Sequence, residues 1–381
     1  MPRVIVIGGG IGGLTTAIAF CRKGWDVSVH EATSELRPIG KGIWVPINAM
    51  QVLGRLGLAE RVAEIGWPMQ SFELGTASGR ILSTLNLNKL TARYGYSFIS
   101  IHRAGLVEIL ANALQPCLLH LGSQFTHFTQ EPTQVHAHFI DGSVETADLL
   151  VGADGIHSRV REQLFPQVAL RYSGQTCFRG IAEMALPEVL ASTCREIWGG
   201  RDRFGFSAIG PRSVYWFAPQ LSPPGLEDSL ELRMERLLDA YQQFPNPIPE
   251  MLVATRAEDT IRTDLFDFPP ISGWSRQNVV LLGDAAHAMT PNLGQGGAQA
   301  IEDAFVLAEQ CGQADSVAEA LVDYECIRMP KAKRIVKNAW IFGHVSHWQN
   351  PLVRWARDAA IRWTPSSIGQ KQLDKLSSLN Y

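Results

Sequence analysis

The feature that most constrains the fold is a glycine-rich turn directly after the first predicted strand. The strand covers residues 4–7 (VIVI), the turn reads GGGIGG, and a helical pattern follows over residues 14–23. Gly8, Gly10 and Gly13 have the spacing of a dinucleotide fingerprint, in which the glycines make the turn, admit the pyrophosphate and let the helix pack closely. The chain is therefore expected to begin with a Rossmann-type unit that binds a nucleotide.

A second predicted strand begins at Asp26 and ends beside Glu31, which lies 18 residues after Gly13. An acid at this distance can accept hydrogen bonds from the two hydroxyls of a ribose. The alternative is that Glu31 is a solvated residue at the end of a strand.

Another glycine-rich junction, GDAAHAMTPNLGQGG, covers Gly283–Gly297 between a strand-like run and a helical pattern. The first N–H groups of a helix are unpaired and carry about half a positive charge, so this junction suits a planar or anionic group. His287 lies within it, where a structural hydrogen bond is at least as plausible as proton transfer.

These junctions and a third motif resemble, in the same order, the motifs of the class A FAD-dependent monooxygenases, the family of p-hydroxybenzoate and salicylate hydroxylases. The third motif is DLLVGADG, residues 148–155, and the second junction supplies the family's Gly283-Asp284 pair and Pro291. Within that family, MTPNLGQG and a tail with Trp348 and Trp355 are similar to bacterial 2-alkyl-4-quinolone hydroxylases. The chain departs from the family at one point: relatives commonly have proline directly before the asparagine, whereas here Ile47 precedes Asn48. This difference puts the path of the local loop in doubt.

The resemblance implies an α/β chain with a Rossmann-type, glutathione-reductase-like FAD-binding domain, an inserted, mainly antiparallel β substrate domain and a C-terminal helical segment. The strand and helix patterns place the FAD-binding domain in three pieces, at residues 1–70, 98–170 and 275–330. The substrate domain then covers residues 71–97 and 171–274, and the helical segment covers 331–381.

The resemblance also implies which residues bind FAD. In it, Asp284 holds the ribityl or pyrophosphate region, and backbone N–H groups over residues 293–296 face the flavin edge that becomes negative on reduction. The expected cofactor residues are Gly8, Gly10, Ile11, Gly12, Gly13, Glu31, Ala32, Arg37, Gly42, Arg103, Asp154, Gly283, Asp284, Pro291, Leu293, Gly294, Gly296 and Gly297.

The implied reaction is hydroxylation of an aromatic or heteroaromatic ring by dioxygen, with NADH or NADPH as co-substrate, through a flavin C4a-hydroperoxide. Such chemistry needs a pocket that excludes water. Residues 174–218 are strand-like and rich in aromatic side chains, of which only alternate ones can face a ligand. Arg179 or Arg203 could pair with an acidic or phenolate substrate. The candidate catalytic residues are Pro291, Gly294, Gln295 and Tyr215, and the aromatic candidates are Phe178, Phe204, Phe206, Tyr215, Trp216 and Phe217.

Other functions remain open on the sequence. An epoxidase of isoprenoid or polyene double bonds would share these motifs, whereas a flavin halogenase would carry a WxWxIP motif that is absent here. From a different class, a non-enzymatic binding protein could use the same FAD or nucleotide scaffold. Such a protein would be colourless and retain no FAD.

Composition excludes several further classes of function. The net charge of −3 implies no nucleic-acid partner, and the six cysteines show no CxxC pair or metal-ligand spacing, so no metal site is expected. No signal-peptide pattern precedes the first strand and no apolar run is long enough to span a membrane, so a cytoplasmic location is expected. Arg159 and Arg161 could meet phosphate, but a solvated helix face is the simpler interpretation.

The C-terminal tail combines a tryptophan stripe with positive charge. Trp340, Trp348, Trp355 and Trp363 are spaced by 8, 7 and 8 residues, and residues 328–381 hold ten Lys or Arg against two acids. Such a segment can lie on a membrane surface. Packing across the two domains is the simpler interpretation, and the sequence leaves the oligomeric state open.

Overall fold

The computed structural model describes residues 1–36, 41–114, 118–379 and 381. The described strands, in chain order, are β1 (Arg3–Ile7), β2 (Asp26–Glu31), β3 (Gly42–Val45), β4 (Trp67–Met69), β5 (Ser71–Thr76), β6 (Ile81–Asn86), β7 (Phe98–His102), β8 (Leu119–Leu121), β9 (Phe125–Gln130), β10 (Val135–Phe139), β11 (Val144–Ala147), β12 (Leu149–Gly152), β13 (Arg171–Ala182), β14 (Thr193–Trp198), β15 (Arg203–Gly210), β16 (Ser213–Leu221), β17 (Ile261–Asp267), β18 (Ser275–Arg276) and β19 (Val279–Leu281).

The α-helices range from short turns to a helix of 30 residues. They are α1 (Ile11–Arg22), α2 (Ile47–Arg55), α3 (Ala59–Ile65), α4 (Asn88–Tyr94), α5 (Arg103–Asn112), α6 (Arg159–Leu164), α7 (Leu230–Tyr241), α8 (Ile248–Val253), α9 (Asp284–His287), α10 (Gly296–Cys311), α11 (Val317–Ser346), α12 (Pro351–Trp363) and α13 (Ser366–Ser377). Short 3-10 helices cover Glu188–Leu190, Ala257–Asp259 and Pro291–Leu293.

A six-stranded sheet forms the nucleotide-binding part of the fold. Its order is β18-β19-β12-β1-β2-β8, and all neighbours are parallel except β18 and β19. β1, β12 and β19 read as apolar runs because α1 and the strands β10 and β11 pack against this sheet. β1 pairs with β2 on one side and β12 on the other. The glycine-rich turn after β1 therefore lies where the winding of the sheet reverses, the usual ligand position in open α/β sheets.

A seven-stranded sheet lies on the substrate side, in the order β17-β13-β16-β15-β14-β5-β6. Its neighbours are antiparallel except β14 and β5, which are parallel. Alternate side chains point to opposite faces of a strand. Phe204 and Trp216 stack with ring centroids 5.4 Å apart in a core that includes Leu237 of α7 and Met251 of α8. The opposite face of the sheet is left for a ligand.

Two three-stranded antiparallel sheets complete the β structure, in the orders β11-β10-β9 and β3-β7-β4. An Asp141-Gly142 turn joins β10 to β11, and Gly142 has a φ of 85° that favours glycine. The whole is the mixed α/β fold with antiparallel sheets that the sequence predicts.

The C-terminal helices divide the tail into parts with different surroundings. α11 packs on α10 and on the 3-10 helix at Pro291–Leu293, and α13 packs on β6 and α2. The prediction of a packing tail is correct for these two helices. It is wrong for the outer side of α12, where Leu352, Trp355 and Trp363 are exposed. None of the described helices is long and apolar enough to cross a membrane.

Candidate active site

A continuous cleft begins at the carboxyl ends of β1 and β2. Glu31 is held there because its carboxylate accepts hydrogen bonds from the N–H of Gly9 at 2.8 Å and of Thr33 at 2.9 Å. Gly8, Gly10 and Ala32 line the same end of the cleft. The predicted acid therefore lies beside the fingerprint glycines, fixed by a backbone donor from the turn itself.

Asp154, at the carboxyl end of β12, forms the other wall. One carboxylate oxygen accepts hydrogen bonds from the N–H of Arg159 at 2.8 Å and of Val160 at 3.3 Å. Its other oxygen, Oδ1, is buried and has no hydrogen-bond partner among the described residues. Burial raises the pKa of this carboxyl, and the two N–H donors oppose that effect. The unpaired oxygen suits a hydroxyl donor in the cleft.

Arg161 corrects the prediction of a solvated helix face. Its side chain is 2% exposed and stacks over the ring of Phe268 at 4.7 Å. One guanidinium nitrogen donates to the carbonyl of Ile156 at 2.7 Å. Arg161 is therefore buried and stabilises the turn after β12, and it does not face water.

The middle of the cleft joins the two glycine-rich junctions. Arg103 and Asp284 face each other across it, at the start of α5 and of α9. The side chain of Asp284 is open to the cleft, but the surrounding protein raises the pKa of its carboxyl, and His287 and Arg103 oppose this rise. The other residues that line this part include Ile11, Gly12, Gly283, Gly296 and Gly297.

A buried network holds Asp284 from behind. Asp303 of α10 accepts a hydrogen bond from the N–H of Gly283 at 3.0 Å and bonds to His287 at 2.5 Å. Its second oxygen accepts from Arg328 at 2.8 Å, and these contacts lower the pKa of Asp303 to about 2 despite its burial. His287 thus makes a structural hydrogen bond, the plainer of the two roles considered for it.

The loop after α9 turns back at Gly294. This residue has a φ of 61°, and an added Cβ would lie 2.9 Å from the Trp44 ring. Its N–H donates to the carbonyl of Pro291. The N–H groups of Gly296 and Gly297 then open α10 and have no partners within the helix.

Two of the predicted loop residues do not line the cleft. The Gln295 side chain is buried, and its oxygen accepts from Asn48 at 3.1 Å and from Gln299 at 3.0 Å. Leu293 is also absent from the wall. The side chain of Gln295 is therefore committed to the network behind the cleft.

The cleft ends in a cavity of about 240 Å³ between the loop and the seven-stranded sheet. The side chains that the sheet contributes to the cavity all point from one of its faces. The other aromatic candidates, such as Trp216, lie on the opposite face. The cavity is lined by Gly42, Ile43, Trp44, Arg103, Cys177, Arg179, Arg203, Tyr215, Phe217, Pro219, Asp284, Met289, Pro291, Asn292, Gly294, Gly296 and Gly297.

The two cavity arginines that come from the seven-stranded sheet, Arg179 and Arg203, differ in their partners. Arg203 is 1% exposed, and two of its nitrogens donate to one carboxylate oxygen of Glu196, at 2.8 and 2.5 Å. Its third nitrogen donates to the side-chain oxygen of Asn292 at 2.8 Å. Arg179 makes no ion pair within the described residues and instead contacts the Tyr215 hydroxyl. Burial raises the pKa of Tyr215 to about 12, an effect that Arg179 opposes. A neutral phenol and an unneutralised guanidinium therefore meet at one end of the cavity.

The shape of the cleft fits FAD. Its adenosine, middle and cavity stretches share residues, so one long dinucleotide can run through all three. A Cβ added at Gly10 would meet no atom of the described residues within 4 Å. The protein thus leaves room beside Gly10, where the dinucleotide fingerprint places the pyrophosphate.

Arg37 lies outside the described residues. Trp44, Met289 and Asn292 line the cavity although the motifs do not single them out. Trp44 donates to the hydroxyl of Ser207 at 2.9 Å. Its place in the strand next to Gly42 is the one sequence signal that points to it.

Comparisons with known proteins agree with this geometry. A family model described as an FAD binding domain matches residues 1–339. The aurachin C monooxygenase/isomerase of Stigmatella aurantiaca is 36% identical over 363 residues, covering 95% of this chain and 94% of the relative. A 2-heptyl-3-hydroxy-4(1H)-quinolone synthase of Pseudomonas aeruginosa (strain UCBPP-PA14) is 33% identical over 379 residues, covering 98% of this chain and 97% of the relative.

A solved structure is similar over its full length. The crystal structure of Klebsiella pneumoniae HpxO complexed with FAD and uric acid has a TM-score of 0.90 and 28% sequence identity, and the match covers 99% of this chain and 96% of that one.

Proposed function

Because the chain belongs to the family of FAD-dependent monooxygenases that hydroxylate aromatic rings, we propose that it hydroxylates a heteroaromatic ring that carries an oxygen substituent. A 4-quinolone is the first substrate to test. NADH or NADPH is the proposed electron donor. The overall change replaces a ring C–H by C–OH, consumes dioxygen, NAD(P)H and a proton, and releases water and NAD(P)⁺. The 2-heptyl-3-hydroxy-4(1H)-quinolone synthase supports the choice of ring.

The observation that carries the proposal is the pairing of Arg179 with Tyr215 at one end of the cavity, beside the rings of Trp44 and Phe217. A guanidinium without a carboxylate and a neutral phenol both donate hydrogen bonds, so they suit an oxygen with partial or full negative charge. Trp44 and Phe217 lie edge to face, with centroids 5.5 Å apart, beside this polar end. A flat ring with one oxygen matches both surfaces.

The protein's part in the reaction is to bind, orient and exclude water. When bound, FAD supplies the capacity to accept a hydride from NAD(P)H and to activate dioxygen. Asp284 and Arg103 would hold its middle, and the N–H groups that open α10 would stabilise negative charge on the ring system. Arg179 and Tyr215 would orient the substrate, and Met289 and Pro291 would contribute apolar surface to the cavity wall.

The test is substrate-stimulated consumption of NADH and NADPH by the FAD-loaded protein with 2-heptyl-4(1H)-quinolone, simple phenols and a polyene. The expected result is stimulation by the quinolone, with one labelled atom from ¹⁸O₂ in the product. Oxidation of NAD(P)H that yields only peroxide with every ring compound would overturn the proposal. Stimulation by the polyene alone, with an epoxide product, would replace it.

A further inference from the structure

The outer side of α12 is an apolar face that none of the described residues covers. Leu352, Trp355 and Trp363 are 78%, 66% and 78% exposed, and Trp348 just before the helix is also exposed. Residues 352, 355, 359 and 363 are spaced by three and four, so they share one side of a helix. Scattered exposed apolar residues are ordinary, but a stripe along one helix face marks an interaction surface.

The inner side of the same helix is polar and fixed. Arg357 and Asp358 are buried and form an ion pair at 2.7 Å. Arg357 also donates to the carbonyls of Val345 and Ser346, at 3.0 and 3.1 Å, and stacks over Trp198. Turning the apolar face inward would strip a buried ion pair of its partners, so the exposed face is held outward.

The charges around the face are of one sign. Arg362, Lys371 and Lys375 are exposed on α12 and α13. The two acids of these helices already form ion pairs: Asp358 is buried against Arg357, and Asp374 pairs with Arg93 at 2.8 Å. Residues 328–381 carry ten Lys or Arg and two acids, whereas the whole chain has a net charge of −3. Of the ten basic residues, Arg328, Lys331 and Arg357 are paired with acids, so the exposed positive charge of α12 and α13 is that of Arg362, Lys371 and Lys375.

We propose that α12 docks the protein on the surface of an anionic lipid bilayer, with Leu352, Trp355 and Trp363 in the interface and the basic residues against the headgroups. A helix with an apolar side, interfacial tryptophans and basic flanks binds in this way. A second copy of the chain fits less well, because a two-fold contact would bring the same positive residues of both copies together. This inference does not depend on the identity of the substrate.

The face also continues to the cavity wall. His347, which directly precedes Trp348, is buried and lies 3.4 Å from the carbonyl of Pro219, a cavity residue. Docking on α12 would therefore bring the wall of the cavity close to the lipid surface.

Vesicle co-sedimentation of the full-length, FAD-loaded protein tests the inference. The expected result is binding to vesicles of phosphatidylcholine with phosphatidylglycerol, weakening with added salt, and little binding to phosphatidylcholine alone. We expect L352S/W355S/W363S to bind the anionic vesicles at least about tenfold more weakly. R362Q/K371Q/K375Q should lose affinity by up to about a hundredfold, since each basic residue near the surface contributes about fivefold.

A matched control removes three exposed valines elsewhere, in V189S/V253S/V322S, whose positions are 84%, 75% and 61% exposed. This variant should bind the vesicles like the parent protein. In case the tryptophan variant folds poorly, the parent protein gives a second measurement, because binding should shift its tryptophan emission to the blue. Absence of binding by the parent, or equal binding by L352S/W355S/W363S, overturns the inference. A dimer that this variant dissociates, without vesicle binding by the parent, assigns the face to a second copy instead.

Discussion

Gly10 and Gly13 belong to the same turn but are constrained by different neighbours. A Cβ at Gly13 would lie 1.9 Å from the carbonyl oxygen of Gly8, so the fold itself requires glycine there. Gly10 has a φ of −78°, which any residue adopts, and faces empty space. The protein therefore separates the structural glycine from the one that makes room for a ligand.

Gly10→Ala should leave the fold intact and impair FAD binding. Since the backbone angles suit alanine and no atom obstructs it, we expect the free energy of unfolding of the apoprotein to stay within about 1 kcal/mol. FAD affinity should fall at least about tenfold. Urea unfolding and fluorescence titration with FAD measure the two quantities. Gly13→Ala is the contrasting variant and should lower stability itself, whereas unchanged FAD affinity of Gly10→Ala would contradict the prediction.

Tyr215→Phe removes the hydroxyl that meets Arg179 and keeps the ring. We expect kcat/KM for a ring substrate bearing an oxygen to fall about tenfold to a hundredfold, the loss typical of one hydrogen bond to a charged group. FAD content should not change. Steady-state kinetics measure the effect, and Tyr94→Phe, which removes a hydroxyl bonded to Asp374 and does not line the cavity, is the matched control. Equal losses in the two variants would argue against a role for Tyr215 in substrate binding.

At this scale the sequence predicts residues whose backbone position follows from a motif. Glu31 and Asp284 follow a strand at a set distance, so the motif places them beside the cleft. It does not place side chains whose direction depends on tertiary packing. The side chain of Gln295 points to Asn48, and that of Arg161 stacks over the Phe268 ring, because each has a buried partner there.

At the scale of elements, the end of α11 connects the cavity wall to the tail. His347 is buried there, and its Nδ1 bonds to the carbonyl of Gly343 at 2.8 Å. Burial, and then the nearby charge of Arg203, lower the pKa of His347 from 6.5 to about 4. The folded protein thus keeps this imidazole neutral over a range in which the unfolded chain binds a proton.

Stability should therefore fall as the pH is lowered from 6.5 to 4. Above pH 6.5 both states are neutral at His347 and the full stability is present, whereas between the two pKa values only the unfolded state gains a proton. The loss from this residue is about 3 kcal/mol at most. Urea unfolding at several pH values measures it, and His347→Asn should flatten the dependence. His344→Asn, an exposed position on the same helix, should leave the pH dependence unchanged. A parent-like slope in His347→Asn would refute the assignment.

Element types were predictable where periodicity is strong and the environment is simple. The alternation along β16 indicates that Tyr215 and Phe217 share a face, which the cavity confirms. The sequence does not indicate which face is inward, since both carry aromatic residues. In α12 the sequence pattern indicates an amphipathic helix, but the buried side of this helix is the polar one. The reason is that Arg357 stacks over Trp198 and donates hydrogen bonds to two backbone carbonyls.

At the scale of the whole molecule, the cleft is built from distant parts of the chain. Glu31, Arg103, Asp154 and Asp284 come from four separate segments, and Tyr215 comes from the other large sheet. The ordered motifs made the α/β class predictable from sequence. The route of the chain between the sheets was not, because it depends on packing between residues hundreds of positions apart.

FAD should consequently act as a tie between these parts. A ligand that binds only the folded state stabilises it by mass action, by about 2.7 kcal/mol at a concentration one hundred times its Kd. We expect removal of FAD to lower the midpoint of thermal unfolding and its return to restore it. Calorimetry of the apoprotein with and without FAD measures the shift, with Gly10→Ala as the variant that responds less. An identical midpoint in both samples would show that FAD does not bind this cleft.

The central position of β1 also sets the order in which the chain can be assembled. The N–H of Arg3 bonds to Asp148, 145 residues later, and Asn278 bonds to the carbonyl of Asp148 across 130 residues. During synthesis, β1 must wait for β12, and β12 must wait for β19. Non-local strand pairing of this kind is slow and leaves strand edges open in the nascent chain. Yield in a heterologous host should therefore depend on growth temperature and chaperone supply more than on the stability of the finished protein.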